Sequence, residues 1–395
     1  MDPVRNPFAP GAGQRPPELA GRTRELDAFE VVLERVARGR PERSLVLTGL
    51  RGVGKTVLLG ELRSMAVRRG WGAGKVEARP EAGLRRPLSA ALHRAIRDLA
   101  VRHRAPDRVE EVLSVLKAFA LKANPKDAKL RDRWQPGIDV PAAVGRADSG
   151  DVEIDLVELF TEVAELAADV GTGIALLLDE MQDVQAEDVS ALCAACHELS
   201  QSGAPLVVGA GLPHVPAVLS ASKSYSERLF RYVRIDRLDR SDADRAVIAP
   251  IEREEAEITP AALDTLFTVS GGYPYFVQAY GKATWDAAVR TEISEEDVRL
   301  ASPEAESELA VGFFGSRYER ATPAEREYLR AMAELVEGKD EPAPTAKIAE
   351  YLERRPSSLS PARDALIKKG LVYSGERGQI AFTVPHFGRY LLTQD

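Results

Sequence analysis

Cysteine is almost missing from this chain, with two residues in 395, too few for a disulfide framework. Long apolar runs are missing too. No segment approaches the roughly twenty apolar residues that a membrane span needs, and the opening MDPVRNPFAPGAGQRPP has no apolar signal core. These absences predict a cytoplasmic protein without a membrane partner. A basic coat is also lacking: the net charge is −8, so any contact with nucleic acid must come from a local patch. Apolar content of 44% and charged content of 29% fit a globular protein, and the length predicts two or three domains. The two cysteines fall in LCAACH, where Cys193, Cys196 and His197 spell the C-x-x-C-H of haem attachment. That reading needs export and an open cleft. DVSALCAACHELSQSG reads instead as an amphipathic helix in which the small thiols are packing residues.

What the chain does have is a phosphate cradle. LVLTGLRGVGKTVLL, residues 45–59, is a buried-strand pattern followed by Gly49, Leu50, Arg51, Gly52, Val53, Gly54, Lys55 and Thr56, which match G-x-x-x-x-G-K-[ST] at every fixed position. Glycines let consecutive backbone N–H groups turn inward on phosphate oxygens, at the N-terminus of a helix whose dipole favours anions. Lys55 is expected against the β- and γ-phosphates and the Thr56 hydroxyl on Mg²⁺, with Val57 in the first helical turn beside them. A second strand pattern, Ile174 to Leu178 in GIALLLDEMQDV, ends on Asp179 and Glu180. Asp179 is expected to accept hydrogen bonds from Mg²⁺-bound water, and Glu180 to polarise the attacking water. A further buried strand follows in APLVVGAGLP. Strands alternating with helices predict an α/β fold: a P-loop ATPase core with a parallel sheet flanked by helices, then an α-helical lid and a C-terminal winged helix. Turn residues divide the chain into an extended arm (1–17), the core (18–236, with a polar, proline- and glycine-studded excursion at 122–151 that has room for a small hairpin), the lid (237–318) and the winged helix (319–395).

These motifs, with KSYSERLFRYVRIDRLDRSDAD and SGGYPYFVQAYGKATW after them, resemble an AAA+-type ATPase of the group that includes initiator-like, archaeal and STAND-type ATPases. The resemblance runs from about residue 18 to the C-terminus and implies ATP and Mg²⁺ as cofactors. Gly271-Gly272-Tyr273-Pro274 is similar to the G-x-P segment that STAND-type helical domains lay against the nucleotide, which would make Pro274 a sensor of the bound state. Read by itself, the same segment ends one helix on glycine and starts the next on proline. In related ATPases the segment before the first helix covers the adenine, which here implicates Pro16, Pro17, Gly21 and Arg22. The chain departs from AAA+ motors twice. Ala210, Gly211 and Leu212 stand where a polar sensor is usual, and GGYPYFVQAY carries no cation. Arg228 is the candidate for the arginine that reaches a γ-phosphate, within the chain or from a neighbour in a homo-oligomer, with Arg231 and Arg234 as rivals; a plain surface arginine is the alternative. A retained Glu180 with reduced sensing implies slow hydrolysis and a nucleotide-controlled switch.

Toward the C-terminus, TPAEREYLRAMAELVEG, TAKIAEYLER and PSSLSPARDALIKKGLV read as three helices, and VYSGERGQIAFTVP as two strands round a turn, the winged-helix order. From Arg354 to Arg389 there are seven cations and two acids. Lys368, Lys369 and Arg377 are then candidates for DNA phosphates, and Ser358 and Arg363, nearer the start of the third helix, for base edges. Double-stranded DNA is one partner this module fits; a protein is the other.

Overall fold

The computed structural model describes residues 1–395 apart from 81, 104–105, 123–136, 201–202, 204 and 395, with the backbone alone at 102–103 and 106–107. The chain folds as two compact units, Thr23–Thr48 with Lys55–Arg234, and Met1–Arg22 with Gly49–Gly54 and Ile235–Asp395. The α/β unit ends at Arg234, two residues before the end expected for the core.

In the first unit the apolar runs become β1 (Ser44–Thr48), β2 (Gly72–Glu77), β3 (Ile174–Asp179), β4 (Leu206–Gly211) and β5 (Phe230–Arg234). They form one parallel sheet in the order β2-β3-β4-β1-β5. Around it lie α1 (Thr23–Ala37), α2 (Lys55–Arg68), α3 (Arg85–His103), α4 (Pro106–Leu121), α5 (Val152–Asp169), α6 (Ala186–Glu198), α7 (Val215–Ser222) and α8 (Ser226–Leu229). Strand β3 is buried at all six positions, because a parallel strand covered on both faces reads as an unbroken apolar run. With all strands parallel, Thr48, Asp179 and Gly211 leave the sheet on the same edge, which is where such sheets hold ligands. Helix α3 lies directly on β2: a Cβ at Gly74 would sit 2.5 Å from the Ala91 carbonyl oxygen, and one at Gly72 2.7 Å from that of Ala95. Cys193 and Cys196 are buried in α6, where burial pushes their thiols up to about 11 and about 12. Much of the 122–151 excursion lies outside the described residues; within 137–151 no strand forms, so the small hairpin finds no support there.

The second unit contains α9 (Arg240–Arg253), α10 (Pro260–Ser270), α11 (Pro274–Ala287), α12 (Glu295–Glu308), a π-helical stretch Leu309–Gly315, α13 (Ser316–Tyr318), α14 (Pro323–Leu335), α15 (Thr345–Tyr351), α16 (Pro356–Lys368) and α17 (Phe387–Leu392). Two short strands, β6 (Glu257–Ile258) and β7 (Glu292–Ile293), pair in parallel. In the C-terminal module β8 (Ala343–Pro344), β9 (Val372–Tyr373) and β10 (Gln379–Phe382) form an antiparallel sheet in the order β8-β10-β9. The three helices and paired strands come in the expected order, with β8 as an extra strand before α15. Lid and C-terminal module share one aromatic core: Phe314 stacks on Phe387 at 6.1 Å and on Tyr390 at 5.3 Å. No helix among the described residues is long and apolar enough to cross a membrane.

The N-terminal arm does not stand apart. Phe8 is buried over Gly281 of α11, where an added Cβ would lie 2.8 Å from its ring, and Asn6 Nδ2 donates to the Lys282 carbonyl at 3.0 Å and to Asp286 Oδ1 at 2.8 Å. A missing side chain on the helix opens the slot that the phenyl ring fills.

Two measurements test these packings. Gly74→Val should lower stability by about 1–3 kcal/mol through overpacking against α3, while Gly60→Ala in α2, which meets nothing within 4 Å, should raise it by roughly 1 kcal/mol; urea midpoints read both. Glu325 is buried in α14, and burial alone would raise its pKa. The ammonium of Lys369, at 2.6 Å, and the Thr322 backbone amide outweigh that and hold it below the ordinary glutamate range. A carboxyl depressed in the folded state adds stability above its unfolded pKa and loses it as pH falls toward the folded one. Between pH of about 5 and about 3, urea midpoints should therefore fall less steeply in Glu325→Gln than in the parent.

Candidate nucleotide-binding site

The glycine turn after β1 is shaped by backbone that only glycine adopts freely. Gly52 and Gly54 have φ of 83° and 90°, and the space beside Gly54 is open to 4 Å, the cradle that a side chain would fill. The turn's remaining surface is held by the second unit, to which Gly49–Gly54 belong. The Arg51 amide donates to the Thr383 carbonyl at 2.9 Å, and the Tyr275 amide to the Gly52 carbonyl at 3.1 Å. A Cβ on Gly49 would lie 2.2 Å from the Ile235 carbonyl oxygen. Arg22, buried, donates from Nη2 to the carbonyls of Val53 at 3.0 Å and Asp236 at 2.8 Å. The residue implicated in covering adenine thus clamps the main chain of the turn. Pro274 starts α11 after Gly271 caps α10, as the helix-boundary reading has it, and its neighbour Tyr275 touches the turn. Lys55, Thr56 and Val57 open α2, at the helix end where backbone N–H groups point outward along the axis.

Within the α/β unit, Asp179 is buried at the end of β3, with Lys75 Nζ of β2 at 3.4 Å from Oδ2. Glu180 follows in the left-handed region, φ 53° and ψ 46°, an uncommon conformation for a non-glycine residue and one that clusters at functional sites. Its amide donates to Asp179 Oδ1 at 3.1 Å. Its carboxylate accepts from Gln182 Nε2, while Gln182 Oε1 accepts from the Leu212 amide at 3.1 Å. Gln182 therefore bridges the acidic strand end to the end of β4, where Ala210, Gly211 and Leu212 offer no polar side chain. The residue pattern gave no hint of this role; its only signal was a position two past the acidic pair. Thr56 and Asp179 are hard oxygen donors of the kind Mg²⁺ takes. ATP and Mg²⁺ thus fit the residues present.

Other expected site residues lie elsewhere. Arg228 lies one residue before the end of α8, ahead of β5, whose first residue Phe230 pairs with Ser44, the first of β1; Asp179 closes β3 on the opposite edge of the sheet. Arg231 pairs with Leu45 early in the strand. Of the three arginines, Arg234, opposite Thr48, emerges on the same edge as Asp179. On the lid side, Arg317 lies 4.4 Å over the Phe313 ring, which stacks on Tyr275 at 4.7 Å and reaches within 3.8 Å of a Cβ built on Gly52. That cation lies some forty residues beyond the GGYP segment, too far along the chain to be connected with it from the sequence.

In the C-terminal module, folding changes the charge count. Lys369, expected on a phosphate, instead donates to Glu325 at 2.6 Å and to the Arg320 carbonyl at 2.8 Å; its partner sits 44 residues away in sequence. Arg363 is tied to Asp364 at 2.9 Å, Arg354 to Glu327 at 3.0 Å, and the Ser358 hydroxyl to the Arg355 carbonyl at 2.7 Å. Lys368 ends α16 exposed, and Arg377 is exposed in the β9–β10 turn.

Comparison with known proteins agrees with this geometry. Residues 18–208 match the AAA ATPase domain family, and residues 311–391 match a family described as a domain of unknown function (DUF8462). No curated protein matches the chain. Among solved structures, the Walker-type ATPase PABY2304 of Pyrococcus abyssi is similar at 15% identity, over 96% of this chain and 97% of that one, with a TM-score of 0.60. The RuvB Holliday junction branch migration motor of Thermotoga maritima matches at 14% identity over 94% and 96%, with a TM-score of 0.45. The ORC1 protein of Aeropyrum pernix in complex with DNA matches at 16% over 98% and 95%, with a TM-score of 0.44. Residues 18–208 thus carry the match to an AAA ATPase domain, on a P-loop fold that the chain shares with an archaeal Walker-type ATPase.

Proposed function

We propose that the chain is an ATP-binding switch that hydrolyses ATP slowly, with Mg²⁺, and passes its nucleotide state to the lid and to a C-terminal winged helix. The observation that carries this reading is the pair of main-chain hydrogen bonds from Arg51 to Thr383 and from Tyr275 to Gly52. They fasten the phosphate-binding turn to the lid and the C-terminal module. Phosphates that draw the turn's N–H groups toward themselves compete with the Thr383 carbonyl, so nucleotide binding and the disposition of Thr383 are coupled. Bound Mg²⁺ would neutralise charge developing on the phosphates. Lys55 neutralises the β- and γ-oxygens, Glu180 takes the proton side of the attacking water, and Gln182 holds the Glu180 carboxylate. Lys75, 3.4 Å from Asp179, gives way when Asp179 turns to the metal's water shell. Arg228 has no role toward a phosphate held by its own chain; Arg317, over the Phe313 ring beside the turn, is the candidate lid cation.

For the winged helix, duplex DNA is the first reading, with Lys368 and Arg377 on phosphates. A protein partner is the second, favoured by the pairing of Lys369, Arg363 and Arg354 with carboxylates, which thins the positive patch.

Calorimetry with Mg²⁺ and either ATP or ADP tests the switch, which fails if neither binds. Lys55→Ala should weaken ATP binding at least tenfold. Glu180→Gln should keep ATP and stop turnover, and Gln182→Ala should lower kcat by roughly 10- to 100-fold with affinity retained. Equal loss of affinity in all three would remove Glu180 and Gln182 from the chemistry. Fluorescence-anisotropy titration of duplex DNA across a salt series tests the output: Lys368→Glu with Arg377→Glu should weaken binding and flatten the log–log salt slope by about 0.9 per lost phosphate contact. DNA binding undetectable at low salt, with and without ATP, would leave the protein-partner reading.

A further inference from the structure

A cavity of about 230 Å³ opens in the α/β unit at the strand-start edge, among the first residues of β1 and β4, the end of α8 and the turn after α1. This edge is opposite the one where Asp179 leaves β3, so the cavity is separate from the phosphate-binding turn. Its floor is apolar, with the buried Leu199 and Leu206, and its rim carries Arg40, Arg43 and Arg228, all exposed. None of these guanidinium groups has a carboxylate partner among the described residues. Glu42 also lines the cavity, but Arg35 holds its carboxylate. Three uncompensated guanidinium groups around one opening favour an anion with several acceptor oxygens, since planar N–H forks match phosphate bidentately. Val36, Pro205 and Leu229 share the lining with the cationic rim, so the apolar part of an occupant has apolar atoms to rest on. The volume lies below the roughly 300–1,000 Å³ of sites for drug-sized ligands, so the occupant is small.

We propose that this cavity is a second ligand site, which binds a small phosphomonoester with its phosphate among Arg40, Arg43 and Arg228 and its apolar substituent on Leu199 and Leu206. No covalent step is involved. The site is independent of the nucleotide reading, because it shares no residue with the glycine turn or the acidic strand end.

Phenyl phosphate is a suitable probe, titrated by calorimetry into the full chain carrying Lys55→Ala, which cripples the other phosphate site. Inorganic phosphate and phenol are the control ligands. One equivalent of phenyl phosphate should bind, more tightly than inorganic phosphate and more weakly as salt rises, and phenol should not bind. Arg43→Glu or Arg228→Glu, added singly, should weaken binding by about tenfold or more, and Arg43→Gln by less. Leu206→Ala should erase the preference for phenyl phosphate over inorganic phosphate. Far-ultraviolet circular dichroism checks that each variant is folded. The proposal is overturned if phenyl phosphate does not bind at millimolar concentration, or binds equally well to the charge-reversed variants. It is overturned as well if the same arginine substitutions, made in the chain with Lys55 intact, alter its oligomeric state with ATP while phenyl phosphate binding stays intact, an outcome that would give the arginines to a second copy of the chain.

Discussion

A carbonyl and an amide on adjacent residues organise the site. Gly52 accepts from Tyr275 and Arg51 donates to Thr383, both through main chain, so the contacts are independent of side-chain identity and sensitive to any change in the path of the turn. Gly49, packed under the Ile235 carbonyl, and Val53, held with Asp236 by Arg22, mark the two ends of that path. A phosphate-binding loop is usually described by what it offers its ligand. In this chain the loop is equally defined by what grips its other face.

Much of this was legible in the residue order, for identifiable reasons. The run IALLLDE announces a doubly covered parallel strand with acids at its exit because burial on both faces leaves no polar position to interrupt it. The glycine turn is legible because its function lies in the backbone, and the residues that permit that backbone are few. What was not legible depends on atoms that are absent or distant. The docking of Phe8 requires the missing Cβ of Gly281, and nothing near residue 8 records it. Lys369 looks like a free cation until Glu325, capped locally by Thr322, is folded beneath it. Gln182 gains its role from the unusual backbone of Glu180, which turns the chain so that an amide two residues on meets the carboxylate.

The two ends of the sheet divide the α/β unit's chemistry. The strand-end edge gathers Asp179, Glu180 and the Leu212 amide, groups suited to water and metal. The strand-start edge gathers arginines over an apolar floor. Parallel strands enforce the separation, since all C-termini point one way.

The left-handed backbone at Glu180 has a consequence for sequence drift at that position. Strain in this region costs a non-glycine residue on the order of 1–3 kcal/mol, and glycine, asparagine or aspartate relieves part of it. The substitutions that the backbone would welcome shorten or delete the carboxylate that Gln182 holds. If Glu180 acts as proposed, selection for stability alone would pull this site toward an inert switch that binds nucleotide and never resets, and keeping the glutamate would be a standing trade of robustness for turnover.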